Sequence, residues 1–303
     1  MDGLLVIDKP AGPTSHDVVA RVRRLLGQTR IGHTGTLDPG ASGVLPLVLG
    51  RATRLARFMS SSSKRYEAVV RFGQATDTYD AEGIPVGERS FAGLPPRHAI
   101  DAALDGFRGT FDQQPPAFSA KKIAGRRSYE TARAGRNTSA PPASPALPAP
   151  VTVTVHELVI MQVGEDCLSL SVHCSSGFYV RALAHDLGVR LGIGAHLASL
   201  RRTESAGLTL AQAIPLDAAE RSRDDVVAFI VPLDRMLGEL PSVKLTDRGV
   251  MQATHGQDLK PADVASGTWT GTENVRLFTQ TGELIGIADH AASGALHPCV
   301  VLR

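Results

Sequence analysis

Residues 30–54, RIGHTGTLDPGASGVLPLVLGRATR, constrain this chain more than any other stretch. They pack five glycines (Gly32, Gly35, Gly40, Gly43 and Gly50), His33, one carboxylate and a closing basic cluster into a short span. Gly32 and Gly35 permit backbone angles and close approaches that a Cβ resists. Pro39 pushes Asp38 away from helical angles toward an extended conformation, so its carboxylate projects from a loop. SGVLPLVL follows at once, an apolar run of strand length that reads as a buried strand. The expected picture is one acid on a glycine-rich loop, braced by a core strand and followed by Arg51, Arg54 and Arg57. Such surroundings suit an acid that must meet a polyanion, because arginines neutralise phosphates while the loop delivers the carboxylate. Taken alone, Leu37-Asp38-Pro39-Gly40 also reads as an ordinary surface turn, being made of common turn formers.

Within that stretch, GHTGTLDPGASGVLPLVLGRATR resembles the signature segment of the TruB-type tRNA pseudouridine synthases, which convert uridine 55 in the T-arm of tRNA. The resemblance continues in LLVIDKPAGPTSHDVV (4–19), KRYEAVVRFGQATDTYDAEG (64–83), CSSGFYVRALAHDLG (174–188) and HLASLRRTESAG (196–207). These segments lie in the family's order and cover most of residues 3–210. The resemblance implies an α+β fold: a mixed, largely antiparallel sheet with flanking helices and a cleft crossing its middle. It also implies a small C-terminal β-rich, PUA-like RNA-binding module. The expected division is a catalytic domain over 1–240 and that module over 241–303.

Along the chain, residues 3–8 read as a strand ended by the turn formers Lys9-Pro10-Ala11-Gly12-Pro13. Thr14 or Ser15 can cap a helix whose apolar positions Val18, Val19, Val22, Leu25 and Leu26 follow helical spacing, with Gly27 as its stop. Arg21, Arg23 and Arg24 lie off that stripe and read as a solvated face. Arg51, Arg54 and Arg57 recur three apart, which places them along one helix side, where Arg51 and Arg54 are expected to meet RNA. Tyr66, Ala68, Val70 and Phe72 alternate with Arg65, Glu67, Val69 and Arg71, the period of a strand with one buried face. Periodicity makes Tyr66 a core residue; the resemblance makes it a platform that stacks on the target base and is required for catalysis.

Residues 107–137 carry seven basic side chains, among them Lys121, Lys122, Arg126 and Arg127, against two acidic ones, whereas the whole chain is only +2. Phe118 and Tyr129 interleave with these charges, a pattern suited to RNA backbone plus exposed bases. The segment matches the family's thumb insertion over the T-arm. Residues 138–150 (TSAPPASPALPAP) read as an extended, semi-rigid connection. Two β-rich runs follow, VTVTVHELVIMQV and CLSLSVHC, and then a helix carried by Val180, Leu183, Ala184, Leu187, Val189 and Leu191. Beyond residue 240, short strand-like pieces with polar turns suggest a compact β module.

Function classes are narrowed by what is missing. Cys167, Cys174 and Cys299 show no CxxC spacing, which argues against a zinc site or disulfide framework and suits a reducing, cytoplasmic setting. The first residues lack a basic n-region, and no run approaches membrane-spanning length. Neither a Walker nor a dinucleotide-binding loop is visible, and uridine isomerisation needs no cofactor. By resemblance the catalytic residues are Asp38, Tyr66 and Arg181, the guanidinium pairing with the carboxylate and keeping it ionised in a dry pocket. His33, Tyr179 and Leu200 are implied in substrate binding: His33 in the space opened in the T-loop, Tyr179 near Asp38, Leu200 as a wall against the base. Lys9 borders the cleft in a mainly structural role. Phe178 departs from the family pattern, which has a small polar residue before the tyrosine. The partner is the tRNA T-arm, with no obligatory protein partner and a monomeric chain. Two other readings stand beside this one: an RNA-binding or tRNA-folding protein with secondary catalysis, and a guide-RNA-dependent synthase sharing the core.

Overall fold

The computed structural model describes residues 1–89, 91–118, 148–269, 273–291 and 294–302, with the backbone of 122–123 and 126–127. Among the described residues, one mixed sheet of eleven strands dominates. Its main path runs Ile214–Pro215, Gly3–Lys9, Ala41–Leu49, Ala195–Ser205, Lys64–Phe72, Cys167–Cys174, Val151–Val163 and Gly109–Gln113. Neighbours are antiparallel except at two junctions, where Ile214–Pro215 lies parallel to Gly3–Lys9 and Ala41–Leu49 parallel to Ala195–Ser205. The apolar runs GLLVIDK and ASGVLPLVL are buried almost throughout, as interior strands covered on both faces should be. KRYEAVVRF instead alternates, with Tyr66, Ala68, Val70 and Phe72 buried in turn.

The first helix, Ser15–Leu26, begins and ends as its sequence predicts. Thr14 accepts from the Asp17 amide, and the Asp17 carboxylate accepts from the Thr14 amide, a reciprocal cap worth about 1 kcal/mol. Gly27 closes it in the left-handed region at φ 63°. The second long helix spans Val180–Arg190 with Leu191 packed against the core at its end, while Val189, expected on the same stripe, is 64% exposed.

The strand Ala195–Ser205, which the sequence pattern does not announce, sits mid-sheet between Ala41–Leu49, the strand that follows the Asp38 loop, and the Tyr66 strand. Arg202 pairs with Gly43 on one side and Tyr66 on the other. The parallel junction depends on Gly43, whose φ is +104° and whose Cβ, if present, would fall 2.1 Å from the Arg202 carbonyl oxygen. A Gly43→Ala variant is therefore expected to lose about 3 kcal/mol or more of unfolding free energy in a denaturant titration.

A second sheet of five strands follows, ordered Val264–Ser266, Ser242–Leu245, Val275–Phe278, Leu284–His290 and Leu296–Val301, with the helix Asp247–Thr254 against it. It has its own core of Val243, Leu245, Leu259, Val275, Leu277 and Leu296. A further apolar cluster joins the two sheets, Leu4, Val48, Leu55 and Met59 meeting Met236, Leu284, Ile287 and Leu302.

Arg51, Arg54 and Arg57 line this junction. They follow the strand on a 3-10 turn, Gly50–Leu55, that passes into the helix Ala56–Ser60, so the spacing of three does align them. The side they share faces the last strand. Arg51 donates from Nε to Asp2 at 2.8 Å and from Nη1 to the Leu302 carbonyl at 3.1 Å. Arg54 donates to the Val301 carbonyl, and Arg57 to that of Cys299. The structure thus gives Arg51 and Arg54 intramolecular acceptors, with Arg54 still exposed.

The expected insertion begins inside the main fold. Phe107 is buried, Gly109–Gln113 is the outermost strand, and Arg108 donates to Asp101 and to the Leu158 carbonyl. Lys122–Ile123 and Arg126–Arg127 form a short antiparallel ladder. Lys121, the side chains of Lys122, Arg126 and Arg127, and most of the Pro/Ala-rich connection lie outside the described residues. Among the described residues no helix is long and apolar enough to cross a membrane.

Candidate active site

The loop that carries Asp38 is tied down on both sides of it. Ser15 Oγ donates to the Leu37 carbonyl at 2.9 Å and accepts from the Leu37 amide at 2.8 Å. The Gly12 amide donates to the Pro39 carbonyl at 2.9 Å. Arg202 donates to the carbonyls of Gly35 at 3.0 Å and Val44 at 2.7 Å, with a longer contact to Thr36. Lys9 completes the clamp, its ammonium donating to the carbonyls of Pro10 and Pro13 at 2.8 Å and of Pro39 at 3.2 Å. The Lys-Pro-Ala-Gly-Pro turn, with Lys9 at its start, is therefore hydrogen-bonded to the acid loop.

Lys9 is fully buried, and burial pushes its amine down to about 8, with Asp38 and Glu82 pulling the other way. Below pH 8 both folded and unfolded chains hold this proton. Between about 8 and the usual lysine value of 10.5 only the unfolded chain does, so raising pH across that window favours the fold. The wild type should accordingly gain stability relative to Lys9→Met from pH 8 to 10.5 in parallel denaturant titrations.

Arg181, on the first turn of the helix Val180–Arg190, reaches the acid from across the cleft. Its Nε lies 2.9 Å from Asp38 Oδ2. Nη1 donates to the Thr78 carbonyl at 3.0 Å and lies 3.5 Å from Asp80 Oδ2, while Nη2 donates to the Phe118 carbonyl at 2.9 Å. The guanidinium is buried, with its side chain 8% exposed, whereas the Asp38 side chain is 44% exposed. A buried cation so held fixes the direction of a carboxylate that faces the opening. Asp80 is the partner that sequence reading missed. Thr78 Oγ1 and the Glu82 amide donate to its other oxygen at 2.5 and 3.1 Å. It stands in TDTYDAEG, where several acids and turn formers compete for attention.

Tyr66 lines the same pocket although it is only 8% exposed and packs in the core. The pocket, of about 170 Å³, is bounded by Asp38, Tyr66, Phe178, Tyr179, Arg181 and Leu200. Burial pushes the Tyr66 phenol up, the nearby Arg202 guanidinium opposing it. Tyr179 is set by its backbone, which exchanges two hydrogen bonds with the Gln113 amide group at 2.8 and 3.0 Å. Leu200 pairs with Ala41 on one side and Ala68 on the other, which puts it on the apolar wall beside Asp38. Phe178 is accommodated, buried edge-on to Phe111. His33 lies in an adjoining compartment beyond Tyr66, its ring edge-on to His16 at 5.4 Å. Burial first, then His16 and Arg202, hold it down to about 4, so at neutral pH it is an uncharged ring.

The sheet is crossed by a cleft in which Asp38, Tyr66 and Leu200 line one pocket, and the chain's family and relatives make it a pseudouridine synthase, an isomerase. The fold is similar to the chain in the crystal structure of a Cbf5-Nop10-Gar1 complex, with a TM-score of 0.73 and 26% identity over 99% of this chain and 85% of that one. The model of the TruB family pseudouridylate synthase N-terminal domain matches residues 23–180, and that of the tRNA pseudouridylate synthase B C-terminal domain matches residues 181–238. The chain belongs to the TruB family. It is 43% identical to the tRNA pseudouridine synthase B of Solibacter usitatus (strain Ellin6076), covering all of both chains. It is 37% identical to that of Pseudomonas aeruginosa (strain UCBPP-PA14), over 100% of this chain and 96% of the other.

Proposed function

We propose that this chain converts uridine 55 of the tRNA T-arm to pseudouridine, alone, on an everted nucleotide whose uracil rests on Tyr66 beside an ionised Asp38. The observation that carries this reading is the 2.9 Å contact between Asp38 and the buried Arg181 within a pocket that also holds Tyr66. The reaction breaks N1–C1′, turns the uracil and joins C5 to C1′, with a proton lost from C5 and one gained at N1. Nothing is oxidised or reduced. Asp38 acts as nucleophile at the sugar or the uracil ring, or as the base that removes a sugar proton. Each route needs its charged form. Unstacking the target costs roughly a few kcal/mol, and stacking on the Tyr66 ring, worth about 1–3 kcal/mol, offsets it. Leu200 and Tyr179 bound the base, and the neutral His33 ring suits the space the nucleotide leaves.

Beside it stands the guide-dependent reading, the fold being shared with a chain solved within a Cbf5-Nop10-Gar1 complex. The higher identity to full-length proteins named tRNA pseudouridine synthase B, 43% and 37%, supports the stand-alone reading. Purified protein incubated with a bare T-arm hairpin, followed by mapping of pseudouridine, tests it. Product at the single target position is expected; a requirement for added guide RNA or partner proteins overturns it. Binding without product would leave an RNA-folding protein.

A further inference from the structure

On the far side of the Tyr66 ring the cleft widens into a compartment of about 380 Å³, lined by His33, Thr34, Gly35, Lys64 and Arg202 among others. Two of these are cations removed from water: Lys64 is 8% exposed and Arg202 1%. Their partners are neutral: both meet carbonyls, and Arg202 also meets the Tyr66 phenol. Lys64 donates to the carbonyls of Ser60 at 3.2 Å and Ser62 at 2.6 Å, Arg202 to those of Gly35, Thr36 and Val44. No ion pair with a carboxylate reaches either among the described residues. The two side chains converge on one point, because a Cβ added to Gly35 would lie 3.4 Å from Arg202 Nη1 and 3.7 Å from Lys64 Cε. Burying a charge without a counter-charge costs several kcal/mol, so two neighbouring cases call for an anion that arrives from outside.

A second observation points the same way. Thr34 is 1% exposed, and its hydroxyl has no hydrogen-bond partner among the described residues; nor has Nδ1 of His33. Buried polar groups are rarely left without a partner, and a site for water or an ion is one reason for an exception. Burial holds the Lys64 amine down to about 8, with Arg202 adding to that effect, which leaves it charged at neutral pH and open to stabilisation by an anion.

We propose that this compartment is a phosphate subsite, in which Lys64, backed by Arg202 and with the Thr34 hydroxyl as a further donor, holds one backbone phosphate of the bound RNA. The inference rests on the reading of the Asp38 pocket as a nucleotide site. Tyr66 lines both compartments, so a nucleotide seated against its ring on one side brings a neighbouring phosphate to the other. A phosphate held there gives the backbone a fixed point about which the target nucleotide turns out.

T-arm hairpins carrying a single neutral methylphosphonate linkage, scanned through the loop, test this with the purified full chain. One linkage within a nucleotide or two of the target is expected to weaken wild-type binding about 10- to 100-fold. That linkage should have no effect on Lys64→Met, which binds the unmodified hairpin more weakly by the same factor and whose salt slope is shallower by about 0.7–0.9. Thr34→Val should show a smaller loss at the same linkage. The wild-type scan stands even if a variant does not fold, a point checked by far-UV circular dichroism. A wild type that makes pseudouridine in the plain hairpin yet ignores every neutral linkage overturns the subsite alone, as does a linkage effect that persists in full in folded Lys64→Met. A wild type that makes no pseudouridine in the plain hairpin removes the reading of the Asp38 pocket and the subsite with it.

Discussion

An Asp38→Asn variant is expected to bind the T-arm hairpin with affinity close to wild type while its single-turnover rate of pseudouridine formation falls on the order of 10⁴-fold or more. Asparagine keeps the shape of the side chain and can still meet Arg181 through its carbonyl oxygen, so the clamps from Ser15, Gly12 and Lys9 persist. What disappears is the charge. An amide is neither a nucleophile at C1′ or C6 nor a base toward a sugar proton, so all three routes stop together. Affinity is expected to survive because phosphate contacts, not the reacting acid, supply most nucleic-acid binding. Rapid-quench measurement of product, beside equilibrium binding of the same hairpin, separates the two quantities. Product at the wild-type rate would take the acid out of the reaction.

The parts of the molecule that could be read from sequence are those where local pattern and tertiary role coincide. Thr14, Asp17 and Gly27 mark a helix whose ends are set by their own hydrogen bonds, so those ends were legible. The strand Ala41–Leu49 is apolar because it lies inside the sheet, and Asp38 projects from the loop before it because Pro39 forbids a helical turn. The strand Ala195–Ser205 was hidden for the opposite reason. Its sequence, AHLASLRRTES, is polar, and it is held mid-sheet partly by Arg202, whose charge is met by loop carbonyls that no sequence window contains. Asp80 was missed in the same way: its relevance comes from Arg181, a hundred residues away in the chain and 3.5 Å away in space. Arg51 and Arg54 show the converse. Their spacing was readable, but which surface that side meets depends on where the C-terminal strand docks.

Arg181→Lys should be damaging although the charge is kept, if less so than loss of the acid. The guanidinium serves four acceptors at once, the Asp38 and Asp80 carboxylates and the Thr78 and Phe118 carbonyls, from three nitrogens fixed in one plane. An ammonium is a single point with no fork, so a lysine that satisfies the carbonyls leaves Asp38, and one that reaches Asp38 leaves buried carbonyls unpaired. The expected result is a fall in kcat of about 10²- to 10³-fold, the usual cost of one preorganised electrostatic group, with KM changed by only a few-fold. Because the contact orients the acid and does not touch the phosphate backbone, salt dependence of binding should match the wild type. If Arg181→Lys turned over within a few-fold of wild type, positive charge alone would be enough near Asp38, and the directed 2.9 Å contact would be incidental to catalysis.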